Sequence, residues 1–280
     1  MDQNETRWII SGYDNQPIYG NTHLPKASTR GILLICHGFK GYKDYGFFPH
    51  LAEFAAQRGL VTHRFNFSHS GMTNQLDTFE RPDLFEIDTW TKQIYDLEQV
   101  ATAVQTESLA GVKNSLPVTW FGHSRGGVTV LLAASHSLSC QPSRVICAAA
   151  PHTPCHLDES LRHQILADGF IESPSSRTGQ VLRIARCWLE EIESDPQACD
   201  PCLAIKKLTC PTLLIHGETD QTVSLASAQA LEQAAEGRAQ LVTIPNASHT
   251  FNAQNPLDKD CIPPATQQMM KNVINFSLSI

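Results

Sequence analysis

Apolar residues fall along this chain in short blocks, each closed off by glycine, proline or polar positions. Six blocks carry the densest apolar content: Gly31 to His37 (GILLICH), Gly59 to Phe67 (GLVTHRFNF), Pro117 to Gly122 (PVTWFG), Arg144 to Ala150 (RVICAAA), Pro211 to His216 (PTLLIH) and Ala239 to Ile244 (AQLVTI). Short runs of this kind predict strands buried on both faces, as in a parallel sheet. The first residues, including Arg7 to Ser11, add antiparallel strands at one edge.

Between these blocks the apolar spacing changes to three and four. Leu51, Phe54 and Ala55 give a stripe that stops at Gly59, and Ile87, Trp90, Ile94, Leu97, Ala101 and Val104 give the longest one. Val128, Leu131 and Leu132 follow a glycine-rich turn, Leu225, Ala228, Leu231 and Ala235 form another stripe, and Met269, Met270, Val273 and Ile274 the last. These spacings put the apolar side chains on one helix face. Strand and helix in alternation predict an α/β fold, a mostly parallel central sheet flanked by helices. From His152 to about Lys207 no strand pattern stands out. Val181, Ile184, Trp188 and Ile192 read there as a helical stripe, and Gly169 to Gly179 as a loop. The expectation is a single domain over residues 1–280, with residues 152–207 a helical cap inserted over the sheet.

Composition narrows the function classes. With 280 residues and 41% apolar content the chain is long enough for a sizeable core and too apolar for disorder. The formal charge of −7 argues against a nucleic-acid partner, which needs a basic footprint. The longest apolar run, Val145 to Ala150, is far short of a membrane span. The acidic start, Met1-Asp2-Gln3-Asn4-Glu5, lacks the basic and apolar regions of a secretory signal. Nine cysteines at irregular spacing fit reduced thiols in a cytoplasmic protein better than a disulfide scaffold. Cys199 and Cys202 form a CxxC, but no second pair stands at zinc spacing, and the segment reads as a polar connection. No metal site is expected.

Four segments carry chemistry. Gly122-His123-Ser124-Arg125-Gly126 is a G-x-S-x-G between an expected strand and helix. In that context it forms a nucleophile elbow, a strained turn that exposes the serine hydroxyl. A serine needs a base, and His249 follows the last expected strand. His136, His156 and His163 read as surface residues. His123 should point away from the neighbouring serine, and His216 should serve in packing or hydrogen bonding. The base needs an acid, and Asp220 follows the strand PTLLI, with Glu218 the alternative two positions earlier. Serine to acid is 220 − 124 = 96 residues and acid to histidine 249 − 220 = 29, in the order Ser, Asp, His. Finally Cys36-His37-Gly38-Phe39-Lys40-Gly41 leaves the first buried strand. It offers the Phe39 N–H as an oxyanion donor beside that of Arg125.

Taken together, HGF (37–39), GHSRGG (122–127), HGETD (216–220) and SHTF (248–251) resemble the α/β-hydrolase superfamily. HGFKGYKD (37–44) with RFNFSHSGMT (64–73) looks like small esterases of the cinnamoyl or feruloyl type and like serine aminopeptidase relatives. The resemblance implies the α/β-hydrolase fold with a cap after residue 151, Ser124 as nucleophile, His249 as base and Asp220 as acid. It also implies oxyanion donors at Phe39 and Arg125 and no metal or organic cofactor. The chain departs from the usual pattern at Asn66 and Ser68-His69-Ser70, where relatives carry Asp and Gly, and at Arg125, where many carry Gln, Met or Leu. The expected activity is hydrolysis of a small-molecule carboxylic ester through an acyl-enzyme, with a peptidase or thioesterase as the alternative. Candidate pocket residues are His69, Met72, Phe170 and Trp188, with Ile171 and Leu189 nearby; the alternative for the residues of the insertion is that they form the cap's own core, the preferred reading for Trp188. Glu190, Glu191 and Glu193 are the residues an aminopeptidase would use to hold an amine.

Overall fold

Alternate residues of a strand face opposite sides of the sheet, so a run that is apolar throughout needs a helical layer on each face. The computed structural model, which describes residues 5–113, 115–136, 140–155 and 157–279, has that arrangement. An antiparallel pair, β1 (Glu5–Ser11) and β2 (Pro17–His23), precedes β3 (Gly31–Cys36), α1 (Phe48–Ala56) and β4 (Leu60–Asn66). Then come α2 (Pro82–Glu86), α3 (Trp90–Gln105), β5 (Val118–His123), α4 (Arg125–Ser135) and β6 (Arg144–Ala148). The segment after β6 holds α5 (Glu159–Asp168), β7 (Phe170–Pro174), β8 (Val181–Ala185), α6 (Arg186–Ser194) and α7 (Pro201–Lys207). The chain closes with β9 (Thr212–Gly217), α8 (Leu225–Ala234), β10 (Ala239–Ile244) and α9 (Pro264–Leu278).

Eight strands form one sheet in the order β1-β2-β4-β3-β5-β6-β9-β10. β1 and β2 pair antiparallel at the edge, matching the expectation from sequence, and β4, β3, β5, β6, β9 and β10 run parallel to one another. Leu34, Trp120, Val145 and Leu214 face one apolar layer, where Leu97, Val100, Val128 and Leu131 of α3 and α4 meet them. Leu33, Ile35, Phe121, Ile146 and Leu213 face the other, against Leu51 and Ala55 of α1 and Met269 and Val273 of α9. After β4 the chain passes back across β3 to lay down β5. The carboxyl ends of β3 and β5 therefore lie at a switch point of the sheet, where α/β folds leave a crevice.

The structure corrects three local expectations. Residues 152–207 are not free of strands: β7 and β8 pair antiparallel as a separate two-stranded sheet. Val181 and Ile184 lie on β8, and only Trp188 and Ile192 share helix α6. Their spacing runs across a strand–helix junction, and pairing of Ile171 with Ile184 outweighs the local periodicity. The long helix starts at Trp90, not Ile87, which ends the short α2. The Glu191 carboxylate of α6 accepts the N–H groups of Trp90 (2.7 Å) and Thr91 (2.8 Å), a cap supplied from a distant part of the chain. Cys199 lies, buried, in the polar connection between α6 and α7, and only Cys202 departs from the expectation, in the first turn of α7. Asp200 accepts the Cys202 N–H at 2.7 Å and Pro201 occupies the first turn. Burial pushes the Cys199 thiol up to about 12, which suppresses the reactive thiolate. All nine cysteines are free thiols. Among the described residues no helix is long and apolar enough to cross a membrane, and no His, Cys, Asp and Glu cluster fits a metal ion.

Candidate functional site

β5 ends at His123 and α4 begins at Arg125, so one residue, Ser124, makes the whole turn. Its φ of 55° and ψ of −123° are strained for a residue with a side chain, at a cost of about 1–3 kcal/mol. Neighbours hold it there. The Ser124 N–H donates to the Ala148 carbonyl (2.8 Å), and the Ser124 carbonyl accepts the Gly127 N–H (2.8 Å). The tight crossing also needs missing side chains. A Cβ at Gly122 would lie 2.1 Å from the Gly126 oxygen, and one at Gly126 would lie 2.5 Å from the carbonyl oxygens of Cys36 and His37. These contacts bring the loop after β3 against the turn.

Asp220 and His249 come from the loops after β9 and β10. The Nδ1–H of His249 donates to Asp220 Oδ2 at 2.8 Å, which fixes the ring tautomer and leaves Nε2 as the basic nitrogen. The other carboxylate oxygen accepts N–H groups from Thr222 (2.8 Å) and Val223 (2.9 Å). Burial opposes the charge of Asp220, yet hydrogen bonds from His216, His249 and Val223 hold its carboxyl well below the usual range. His216 Nε2 donates to the Val223 carbonyl (2.8 Å) and lies 3.4 Å from Asp220 Oδ2. Glu218, the alternative acid, turns away and accepts the Asn246 N–H at 3.2 Å. His123 Nε2 donates to the His249 carbonyl at 2.8 Å, with the two rings 4.9 Å apart. Burial, followed by the neighbouring His249, drives His123 down to about 3, so it stays neutral.

Ser124, Phe39 and His249 line two cavities that meet at the turn. The larger, about 440 Å³, also has Trp90, Arg125, Ile184 and Trp188 in its wall. The smaller, about 220 Å³, has Lys40, Ser175 and Arg177. Among the described residues no protein group accepts the N–H of Phe39 or of Arg125. The serine hydroxyl and the imidazole share both cavity walls without a hydrogen bond between them, a looseness common in unliganded sites.

Of the pocket candidates, Trp188 lines the larger cavity and the other three lie elsewhere. His69 is buried against Ser68 Oγ (2.9 Å), and Met72 packs with Tyr42, Phe79, Phe85 and Leu182. Phe170 stacks under the Arg183 guanidinium at 4.1 Å. Ile171 and Leu189 pack with Ile165. His136 and His163 are exposed, and His156 lies outside the described residues. Lys40, Trp90 and Arg177 also line these cavities and His123 neighbours His249, placements that no motif in the sequence marks. Trp90 carried a signal only as one step of a helical stripe, and Arg177 sits in a turn between two unrecognised strands. All three glutamates are engaged: Glu190 with Arg186 (2.9 Å), Glu193 with Arg162 (2.5 Å) and Glu191 at the start of α3.

The model of the family described as "Alpha/beta hydrolase family" matches residues 32–259. Among solved structures, Est1E from Butyrivibrio proteoclasticus is 17% identical with a TM-score of 0.67 over 97% of both chains. The esterase domain of a Rhodothermus marinus protein is 19% identical with a TM-score of 0.65 over 98% of both. Dienelactone hydrolase from Anabaena variabilis is 18% identical with a TM-score of 0.60, over 98% of this chain and 97% of that one. At these identities the likeness is one of fold. No curated protein matches the chain.

Proposed function

The chain belongs to the alpha/beta hydrolase family, and from that premise we propose that it cleaves carboxylic esters through an acyl-enzyme, with Ser124, His249 and Asp220 as the catalytic triad. The observation that carries the reading is the 2.8 Å bond from His249 to the buried Asp220, beside a serine held at a positive φ. In this mechanism Ser124 Oγ attacks the ester carbon as His249 Nε2 takes its proton. Asp220 stabilises the resulting imidazolium. The carbonyl oxygen gathers negative charge against the N–H groups of Phe39 and Arg125, at the positive end of α4. His249 then protonates the departing alkoxide, and water repeats the steps on the acyl-enzyme.

The larger, apolar cavity is assigned to the acyl group and the smaller one to the alcohol. An ester fits better than an aminoacyl peptide. The ammonium of an aminoacyl substrate would lie in the acyl cavity beside Arg125, and the three glutamates that could hold it are engaged elsewhere. We assign residues 152–207 to a cap. Its Ile184 and Trp188 wall the larger cavity and its Ser175 and Arg177 the smaller, while α7 packs on the main core through Ala204 and Ile205. Ferulic acid is bound to Est1E in another solved structure, which makes aryl acyl esters reasonable members of a substrate panel. Nine free thiols suit a reducing, cytoplasmic setting.

The test is Ser124→Ala against p-nitrophenyl acetate and butyrate. Turnover should fall on the order of 10⁴-fold or more with an unchanged melting temperature, and labelling by a fluorophosphonate probe should vanish. Turnover retained in that variant would sink the assignment.

A further inference from the structure

The residue after the nucleophile carries a second feature that ester hydrolysis does not require. The Arg125 side chain is only 11% exposed and lines the larger cavity. Its guanidinium lies 4.7 Å from the centre of the Trp90 ring, 5.7 Å from Phe39 and 5.8 Å from Trp188. Behind it Asp88 Oδ2 stands 3.3 Å from Nη2, close enough to balance the charge but outside hydrogen-bond geometry. That oxygen is committed to Gln93 Nε2 at 2.6 Å, and Gln93 Oε1 in turn accepts from Thr129 Oγ1 at 2.6 Å. Nε and Nη2 of Arg125 are sealed without a hydrogen-bond partner among the described residues, as are Nε1 of Trp90 and of Trp188. Nη1 is neither sealed nor hydrogen-bonded within the described residues, and it is the nitrogen left to face the cavity.

The guanidinium therefore has its charge matched and its donors unmatched. A purely hydrocarbon acyl chain in this cavity would strip water from Nη1 and give nothing back, and buried unpaired donors are costly. A second carboxylate would crowd the one that Asp88 already supplies, with the Glu191 carboxylate close by at the start of α3. An uncharged oxygen satisfies the donor without adding charge. The flanking rings of Phe39, Trp90 and Trp188 accommodate the apolar remainder of the chain.

We propose that Arg125, through its side chain, selects esters whose acyl group carries an uncharged oxygen acceptor, such as a ketone, part-way along an otherwise apolar chain. The proposal rests on the esterase reading above and names its substrate class. Sites built around a hydrogen-bond donor discriminate strongly against analogues lacking the acceptor.

The experiment compares p-nitrophenyl esters of 4-oxopentanoic and 5-oxohexanoic acids with those of pentanoic and hexanoic acids. Each kcat/KM is divided by the ester's own hydroxide-catalysed rate to remove intrinsic reactivity. The wild-type enzyme should favour at least one oxo ester over its hydrocarbon counterpart by about tenfold or more. The preference should disappear in Arg125→Met and fall in Arg125→Lys, which keeps a cation but loses the fork of donors. Equal normalised rates in the wild type, or a preference that survives in both variants, overturn the proposal. So does a stronger preference for the monoester of glutaric acid, which would mean that the arginine reads a carboxylate. If no ester is turned over, the esterase reading has failed. The binding of N-phenyl-4-oxopentanamide and N-phenylpentanamide to folded Ser124→Ala, followed by calorimetry, then decides the pocket. Tighter binding of the oxo amide supports it and equal binding overturns it.

Discussion

A serine at φ 55° keeps that conformation because the surrounding backbone leaves it no alternative. The same over-determination applies to Asp220, whose carboxylate is fixed by two backbone N–H groups and His249. Asp220→Asn keeps the shape but puts an amide where an acceptor is needed. If Asp220 orients the base as proposed, kcat should drop by on the order of 10⁴ with the melting temperature little changed. Steady-state kinetics beside thermal melts check this. Glu218→Gln is the control, because among the described residues its carboxylate accepts only the Asn246 N–H, and it should leave kcat within about twofold.

At the scale of elements, the site depends on how closely β5, α4 and the loop after β3 pass one another. Gly126→Ala would drive a methyl group to 2.5 Å from two carbonyl oxygens, and both belong to backbone that cannot swing away. Thermal melts should show a loss of about 1–3 kcal/mol, with ester turnover falling further as the Phe39 loop shifts. The α3 terminus makes a milder case. Glu191→Gln keeps an oxygen near the Trp90 and Thr91 N–H groups but removes the negative charge and one acceptor. A loss of about 0.3–1 kcal/mol is expected, smaller at high salt, and urea titrations at two salt concentrations measure it.

For the molecule as a whole, buried titratable groups on both sides of the sheet set the acid response. Burial chiefly drives His37 to about 4, His63 to about 3, His69 to about 4 and His123 to about 3. A histidine with a lowered folded value contributes stability above its unfolded value of ~6.5 and loses it as pH falls toward 4 and 3. Burial raises Asp88 to about 6 and Asp96 to about 7, and these carboxyls act in the opposite direction. Their contribution is full below ~3.9 and disappears as pH rises through 6 and 7. Across that window the four histidines favour the unfolded chain on acidification and the two carboxyls oppose them. Asp96→Asn removes one opposing group. Its melting temperature should therefore fall more steeply than that of the wild type between pH 7 and pH 4, as melts at a series of pH values would show. Parallel curves would contradict this account.

Much of the architecture was legible in the chain itself. Runs such as GILLIC and PTLLIH, short, apolar and bounded by glycine or proline, read as central strands, and glycine at 122 and 126 is demanded by a crossing too close for a Cβ. The order Ser124, Asp220, His249 follows from where such strands end. What resisted reading depends on contacts between residues far apart in sequence. Strand β8 needs β7 to pair with, α3 takes its cap from a residue a hundred positions away, and His69 and Phe170 point into packing of their own. Local patterning determined the sheet and the turn that carries the serine, because burial on two faces and steric crowding act within a few residues. Tertiary structure alone decided which side chains wall the cavities and left Arg125 with a balanced charge and an unmet donor, because burial and pairing across the fold are properties of the assembled chain.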